Sequence, residues 1–133
     1  MFDATVFGRG LVRLAIGNRY DKASRRVTLG TTTAPGWLAI EAIWLTARGY
    51  DGPFIARGVR LGRPGPIEVK QANLGQAPGS GPLSIPAEGD NTGFGFRVYP
   101  GSVWVRSSGC YAVQISGRGF NESIVFDGRQ PIR

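Results

Sequence analysis

From Tyr50 onward the chain is divided into short β-type runs by glycine and proline, and no segment of that half carries a helical period. Phe54 to Val59, Ile67 to Gln71, Leu83 to Pro86, Phe94 to Tyr99, Val103 to Arg106, Cys110 to Ser116 and Phe120 to Phe126 read as strands. Turn signals separate them by roughly 8–12 residues, the spacing of sandwiches and barrels. Leu83-Ser84-Ile85-Pro86 reads as an edge-type strand, because proline cannot donate to a ladder. Residues 72–82 hold Gly75, Pro78, Gly79, Ser80, Gly81 and Pro82, a loop within the domain.

The first half fits the same pattern. Residues 4–16 carry Val6, Phe7, Leu11, Val12, Leu14 and Ile16, broken by Gly8 and Gly10. Two short strands, or one with a bulge, are expected there. Residues 17–26 are polar and turn-like, and Val27 to Thr31 reads as a strand. Residues 36–47 have helix-friendly composition, but the flanking Pro35-Gly36 and Gly49 favour a strand. Leu38, Ile40, Ala42 and Trp44 then share one face.

These runs predict an all-β fold, an immunoglobulin-like antiparallel sandwich of two sheets with about 7–9 strands. The 133 residues suit one domain, 1–133, with a core of its own. The net charge of +7 rests on 14 Arg and only 2 Lys. An arginine-rich surface can meet nucleic acid, anionic lipid or acidic glycan, although charge by itself speaks first to solubility. One Cys excludes an intrachain disulfide, and with no His a zinc site of the usual N/S type is not expected. No cofactor is expected, and no run is long and apolar enough to span a bilayer.

Chemistry is sparse. Without His there is no Ser–His–acid or Cys–His nucleophile pair. Most acids fall beside turns; Glu41 and Glu122 lie inside strand-like runs and would form a carboxylate pair only if both faced one cleft. Cys110 is expected to be a buried small apolar residue. Trp44 takes the place of a sandwich's central Trp, and Tyr111 that of a tyrosine tying a corner through its hydroxyl.

Three sets of residues are candidates for ligand contact. Phe94, Phe96 and Tyr99, in Gly93-Phe94-Gly95-Phe96-Arg97-Val98-Tyr99, resemble a strand on which aromatics stack bases, which raises a nucleic-acid-binding β-barrel as an alternative. Trp37 and Trp104 could form a sugar-stacking platform, which raises a carbohydrate-binding module. Arg19, Arg25 and Arg26 belong to a basic cluster that could face phosphate or glycan.

A broader resemblance covers residues 36–127. Gly36-Trp37, Ile43-Trp44-Leu45, Gly49-Tyr50-x-Gly52-Pro53 and Arg57-Gly58-x-x-Leu61, followed by Pro100, Val103-x-Val105-Arg106 and Gly109-Cys110-Tyr111-Ala112-x-Gln114-Ile115, are similar to the extracytoplasmic domain of bacterial lipoproteins and secreted proteins. In those domains a Gly-Cys-Tyr strand closes an immunoglobulin-like sandwich. The resemblance implies a location outside the cytoplasm and a fold, with no activity attached. Met1-Phe2-Asp3-Ala4 lacks the features of an export signal, so a literal reading is cytoplasmic and a trimmed secreted domain is the favoured one. The expected role is a non-catalytic binding or structural module. Its expected partner is another protein, a second copy or an envelope polymer, with Thr5–Ile16 as a candidate edge for strand pairing.

Overall fold

The computed structural model describes residues 5–7, 10–16, 20–21, 23–24, 26–32, 34–71 and 82–130, with backbone only for 5–7, 70 and 71. All regular structure among them is β. One sheet is ordered β1 (Thr5–Phe7), β2 (Val12–Ile16), β6 (Leu38–Thr46), β10 (Val98–Val105), β8 (Ile67–Gln71), with β5 (Gly30–Thr31) also on β6. The other is ordered β3 (Tyr20–Asp21), β4 (Arg26–Thr28), β12 (Phe120–Arg129), β11 (Gly109–Gly117), β7 (Phe54–Arg60), β9 (Leu83–Ile85). No helix among the described residues is long and apolar enough to cross a membrane.

The two sheets pack as an immunoglobulin-like β-sandwich. Alternation drives the packing: on β11, Tyr111, Val113 and Ile115 are all fully buried, and on β12 Ile124 and Phe126 follow the same two-residue period. From the facing sheet come Val12, Leu14 and Ile16 of β2, Ile40, Ala42 and Trp44 of β6, and Val103 and Val105 of β10. Trp44 is 0% exposed, and its indole N–H finds no acceptor among the described residues.

The expected strands are present with four corrections. Twelve strands form among the described residues, one of them Tyr20–Asp21 within the polar stretch 17–26, more than the seven to nine expected, because several pairings are only two or three residues long. One pair is parallel, β4 on β12, so the second sheet is mixed rather than wholly antiparallel. The single strand expected over Val27–Thr31 instead crosses between sheets: Leu29, 0% exposed, plugs the core where β4 leaves one sheet and β5 joins the other, and its N–H bonds the Arg129 carbonyl at 2.8 Å.

The fourth correction is the most consequential. Phe94 to Arg97 is not strand; the ladder begins at Val98 and runs through Pro100 to Val105 as one strand opposite β6. Gly93 and Gly95 sit at φ +82° and +88°, left-handed backbone that breaks an extended run. The expected Val103–Arg106 strand is therefore the far half of a longer one. β9 does lie at a sheet edge, and so does β1.

Candidate functional site

The β-ladders place three connections at one end of the sandwich: 47–53 after β6, 86–97 before β10, and the Arg118-Gly119 turn between β11 and β12. Loops gathered on a rigid scaffold are where such folds carry recognition. The connection before β10 is the most ordered of these by its own chemistry.

Asp90 organises it. Its Oδ1 accepts from Thr92 N–H at 2.7 Å, Gly93 N–H at 3.0 Å and the Thr92 hydroxyl at 2.9 Å, and its Oδ2 accepts from Gly95 N–H at 2.7 Å. The Thr92 Oγ1 also lies 2.8 Å from the Phe96 carbonyl, so its single proton is shared, and it accepts from Phe94 N–H at 3.1 Å. Donors aimed at the carboxylate, first the Thr92 and Gly95 backbone amides, lower the Asp90 pKa from 3.8 to about 2. Asn91 closes the base of the loop, donating to the Val98 carbonyl at 3.0 Å and accepting from Val98 N–H at 2.9 Å. Gly49 N–H donates to the Gly95 carbonyl at 2.8 Å and joins the neighbouring loop.

Phe94 stands at the apex, 69% exposed, the most exposed large apolar side chain among the described residues. Holding an aromatic in water on a segment this heavily hydrogen-bonded gives a rigid apolar contact whose ordering cost is met before any partner arrives.

Beneath the loop lies a buried cation. Arg97 is 1% exposed. Its Nη2 donates to the Gly52 carbonyl at 2.5 Å, and its Nη1 donates to the Pro86 carbonyl at 3.2 Å and the Tyr99 hydroxyl at 3.0 Å. The guanidinium lies 5.7, 5.8 and 6.0 Å from the Tyr99, Tyr50 and Phe54 ring centroids. Its backbone exchanges bonds with buried Thr46, N–H to Oγ1 at 2.8 Å and Thr46 N–H to the Arg97 carbonyl at 3.0 Å. Tyr99 in turn donates to the exposed Glu88 carboxylate. Burial, then the Glu88 carboxylate, raise the Tyr99 pKa. One side chain thus ties together the loops 50–53 and 86–88 and the start of β10.

Phe94, Phe96 and Tyr99 do not share a face. Phe94 is exposed, Phe96 half-buried, and Tyr99, 5% exposed, points into the core against Phe54 at 5.8 Å. The base-stacking strand and the barrel expected as an alternative are not formed.

Trp37 and Trp104 meet at the opposite end, half-buried, edge to face with centroids 6.5 Å apart. The Arg106 guanidinium lies 5.0 Å from the Trp37 ring centroid, so that ring face is already taken. Arg26 is exposed and pairs with Asp127 at 3.4 Å, beside the Arg129–Asp127 pair. Arg19 and Arg25 lie outside the described residues.

Cys110 is exposed, contrary to the burial expected of it. The alternation that sends Tyr111 inward sends Cys110 outward, opposite Asp127 on β12. Tyr111 donates to the Ser107 carbonyl at 2.5 Å across the β10–β11 turn. Arg60 grips the same turn, donating to Ser107 Oγ at 2.9 Å and the Ser108 carbonyl at 2.8 Å. Glu41 is exposed on β6, whereas Glu122, on β12 of the other sheet, accepts from Gly10 N–H at 2.9 Å; the two do not share a cleft.

Sequence reasoning placed Asp90 in a turn, as found, but named neither Asp90 nor Arg97 as a site residue. The run Asp90-Asn91-Thr92-Gly93 was a legible signal for an Asx-type turn, since Asp and Asn bond backbone amides a few residues on. Nothing local signals a buried Arg97.

No family model and no curated protein matches the chain. Among solved structures, the GAE domain of GGA2p from Saccharomyces cerevisiae is similar over 98% of this chain and 98% of its own, with a TM-score of 0.35 and 10% sequence identity. A likeness that slight carries no argument.

Proposed function

We propose that the chain is a non-catalytic, extracytoplasmic binding module that holds a protein partner at the loop end of its sandwich, with Phe94 as the anchor. The observation that carries this reading is Phe94 itself, 69% exposed on a loop whose amides converge on Asp90. A lone exposed apolar residue is ordinary on a protein surface. A lone exposed aromatic on a pre-ordered loop has the form of an interface hot spot. Several acids are occupied within the fold: Asp90 by amides, Asp127 by arginines, Glu122 by Gly10 and Glu88 by Tyr99. That favours binding over acid–base chemistry. The likeness of residues 36–127 to exported domains supports the location.

The test is photocross-linking in the cells that make the protein. A benzophenone amino acid at position 94 is expected to give a discrete protein adduct, and the same group at exposed Val125 is expected to give none. Asp90→Ala should abolish the position-94 adduct by releasing the loop. Equal adducts at both positions, or no adduct at 94, would refute the reading.

A further inference from the structure

The Trp37–Trp104 pair lies at the far end of the sandwich from Phe94, and its geometry differs from a stacking platform. Trp37 backs a cation: the Arg106 guanidinium rests 5.0 Å from its ring centroid. Gly36, at φ +79°, makes room for it, since a Cβ there would stand 3.1 Å from Nη2 and 3.3 Å from Cζ. Arg106 is exposed and has no hydrogen-bond or ion-pair partner among the described residues. A guanidinium resting over an indole face is restrained by that contact while its donors stay free of protein acceptors among the described residues. That is the preorganised form of a bidentate carboxylate receptor.

Trp104 stands beside it. Its indole is half-buried on the outer face of its sheet, since Val103 and Val105 on either side point into the core. Its Nε1 donates to Ser102 Oγ at 2.7 Å, which fixes the ring and leaves the serine proton for another acceptor. Glu68, opposite Trp104 in the register, has a partner of its own.

We infer that Arg106, Trp104 and Ser102 form a second binding site, one for a saccharide carrying a ring carboxylate, with Trp37 as a positioning residue behind Arg106. A uronate pyranose offers a carboxylate for the fork and a flat C–H face for the indole on one ring. An acidic peptide offers carboxylates without a flat apolar face fixed beside each. The inference deepens the binding-module reading but uses none of the Phe94 loop, so either can fail alone.

The experiment is calorimetric titration of the whole chain with oligomers of galacturonic acid, with neutral galactose oligomers, a glutamate-rich peptide and inorganic phosphate as comparisons. Uronate binding is expected to weaken about tenfold to a hundredfold in Arg106→Gln, the range for losing hydrogen bonds to a charged group. Arg106→Lys, which keeps the charge and loses the fork, should recover only part of it. Trp104→Ala should lose binding, and Val125→Ser, at an exposed position on the other sheet, should leave it unchanged. Equal affinity for the neutral oligomers, for the peptide or for phosphate would overturn the inference, as would full binding by Arg106→Gln. If Trp104→Ala fails to fold, Trp104→Phe with a reduced affinity serves the same purpose, and an unchanged affinity there counts against it.

Discussion

Replacing Arg97 tests whether a buried cation without a carboxylate partner stabilises this fold. Its three hydrogen bonds, to the Gly52 and Pro86 carbonyls and the Tyr99 hydroxyl, run from a charged donor. Such bonds are worth about 1.5–3 kcal/mol each. Against them stands the desolvation of the guanidinium, several kcal/mol for a group 1% exposed. If desolvation offsets about half of the gross gain, Arg97→Met, similar in length and apolar, should lose about 2–4 kcal/mol, since the three acceptors are left unpaired. Arg97→Ala adds a cavity among Tyr50, Phe54 and Tyr99 and should lose about 4–6 kcal/mol, enough to unfold a domain of marginal stability. Urea titration followed by tryptophan fluorescence reads both values from the midpoint shift at constant slope. An Arg97→Met protein within about 0.5 kcal/mol of the parent would refute the reasoning, because desolvation would then cancel the interactions completely.

Tyr111→Phe removes only the bond to the Ser107 carbonyl and should cost about 1–2 kcal/mol in the same titration; a loss below about 0.5 kcal/mol would show that Arg60 holds the turn without it. The Asp90 loop should open in acid. A carboxylate whose folded pKa is depressed contributes fully above its ordinary value near 3.8 and loses that contribution as pH falls through about 2. The Gly95 amide resonance should therefore titrate with a midpoint near 2, and a midpoint near 3.8 would contradict the hydrogen-bond geometry.

How far residue order alone reached is clearest strand by strand. The period of two in Tyr111-Ala112-Val113-Gln114-Ile115 placed Tyr111, Val113 and Ile115 in the core, although the small side chain of Ala112 is buried as well, and the same pattern served Ile40, Ala42 and Trp44. Period and turn chemistry are local properties, so they survive without coordinates. The same alternation already placed Cys110 outside, and only the general tendency of cysteine to be buried obscured it. Gly93-Phe94-Gly95-Phe96 misled for a physical reason: glycine between aromatics mimics an alternating strand, while its freedom at positive φ permits a tight loop instead.

The strand pattern, the turns and the absence of catalytic histidine pairs were determined by the amino-acid order. Only the tertiary structure decided that Leu29 carries the chain from one sheet to the other, that Arg97 is buried among three rings, and that Arg106 lies on Trp37. Each of these joins segments far apart in the chain: Arg97 reaches Gly52 across 45 residues. Local preference cannot encode such contacts, because their free energy exists only after the sheets have closed around them.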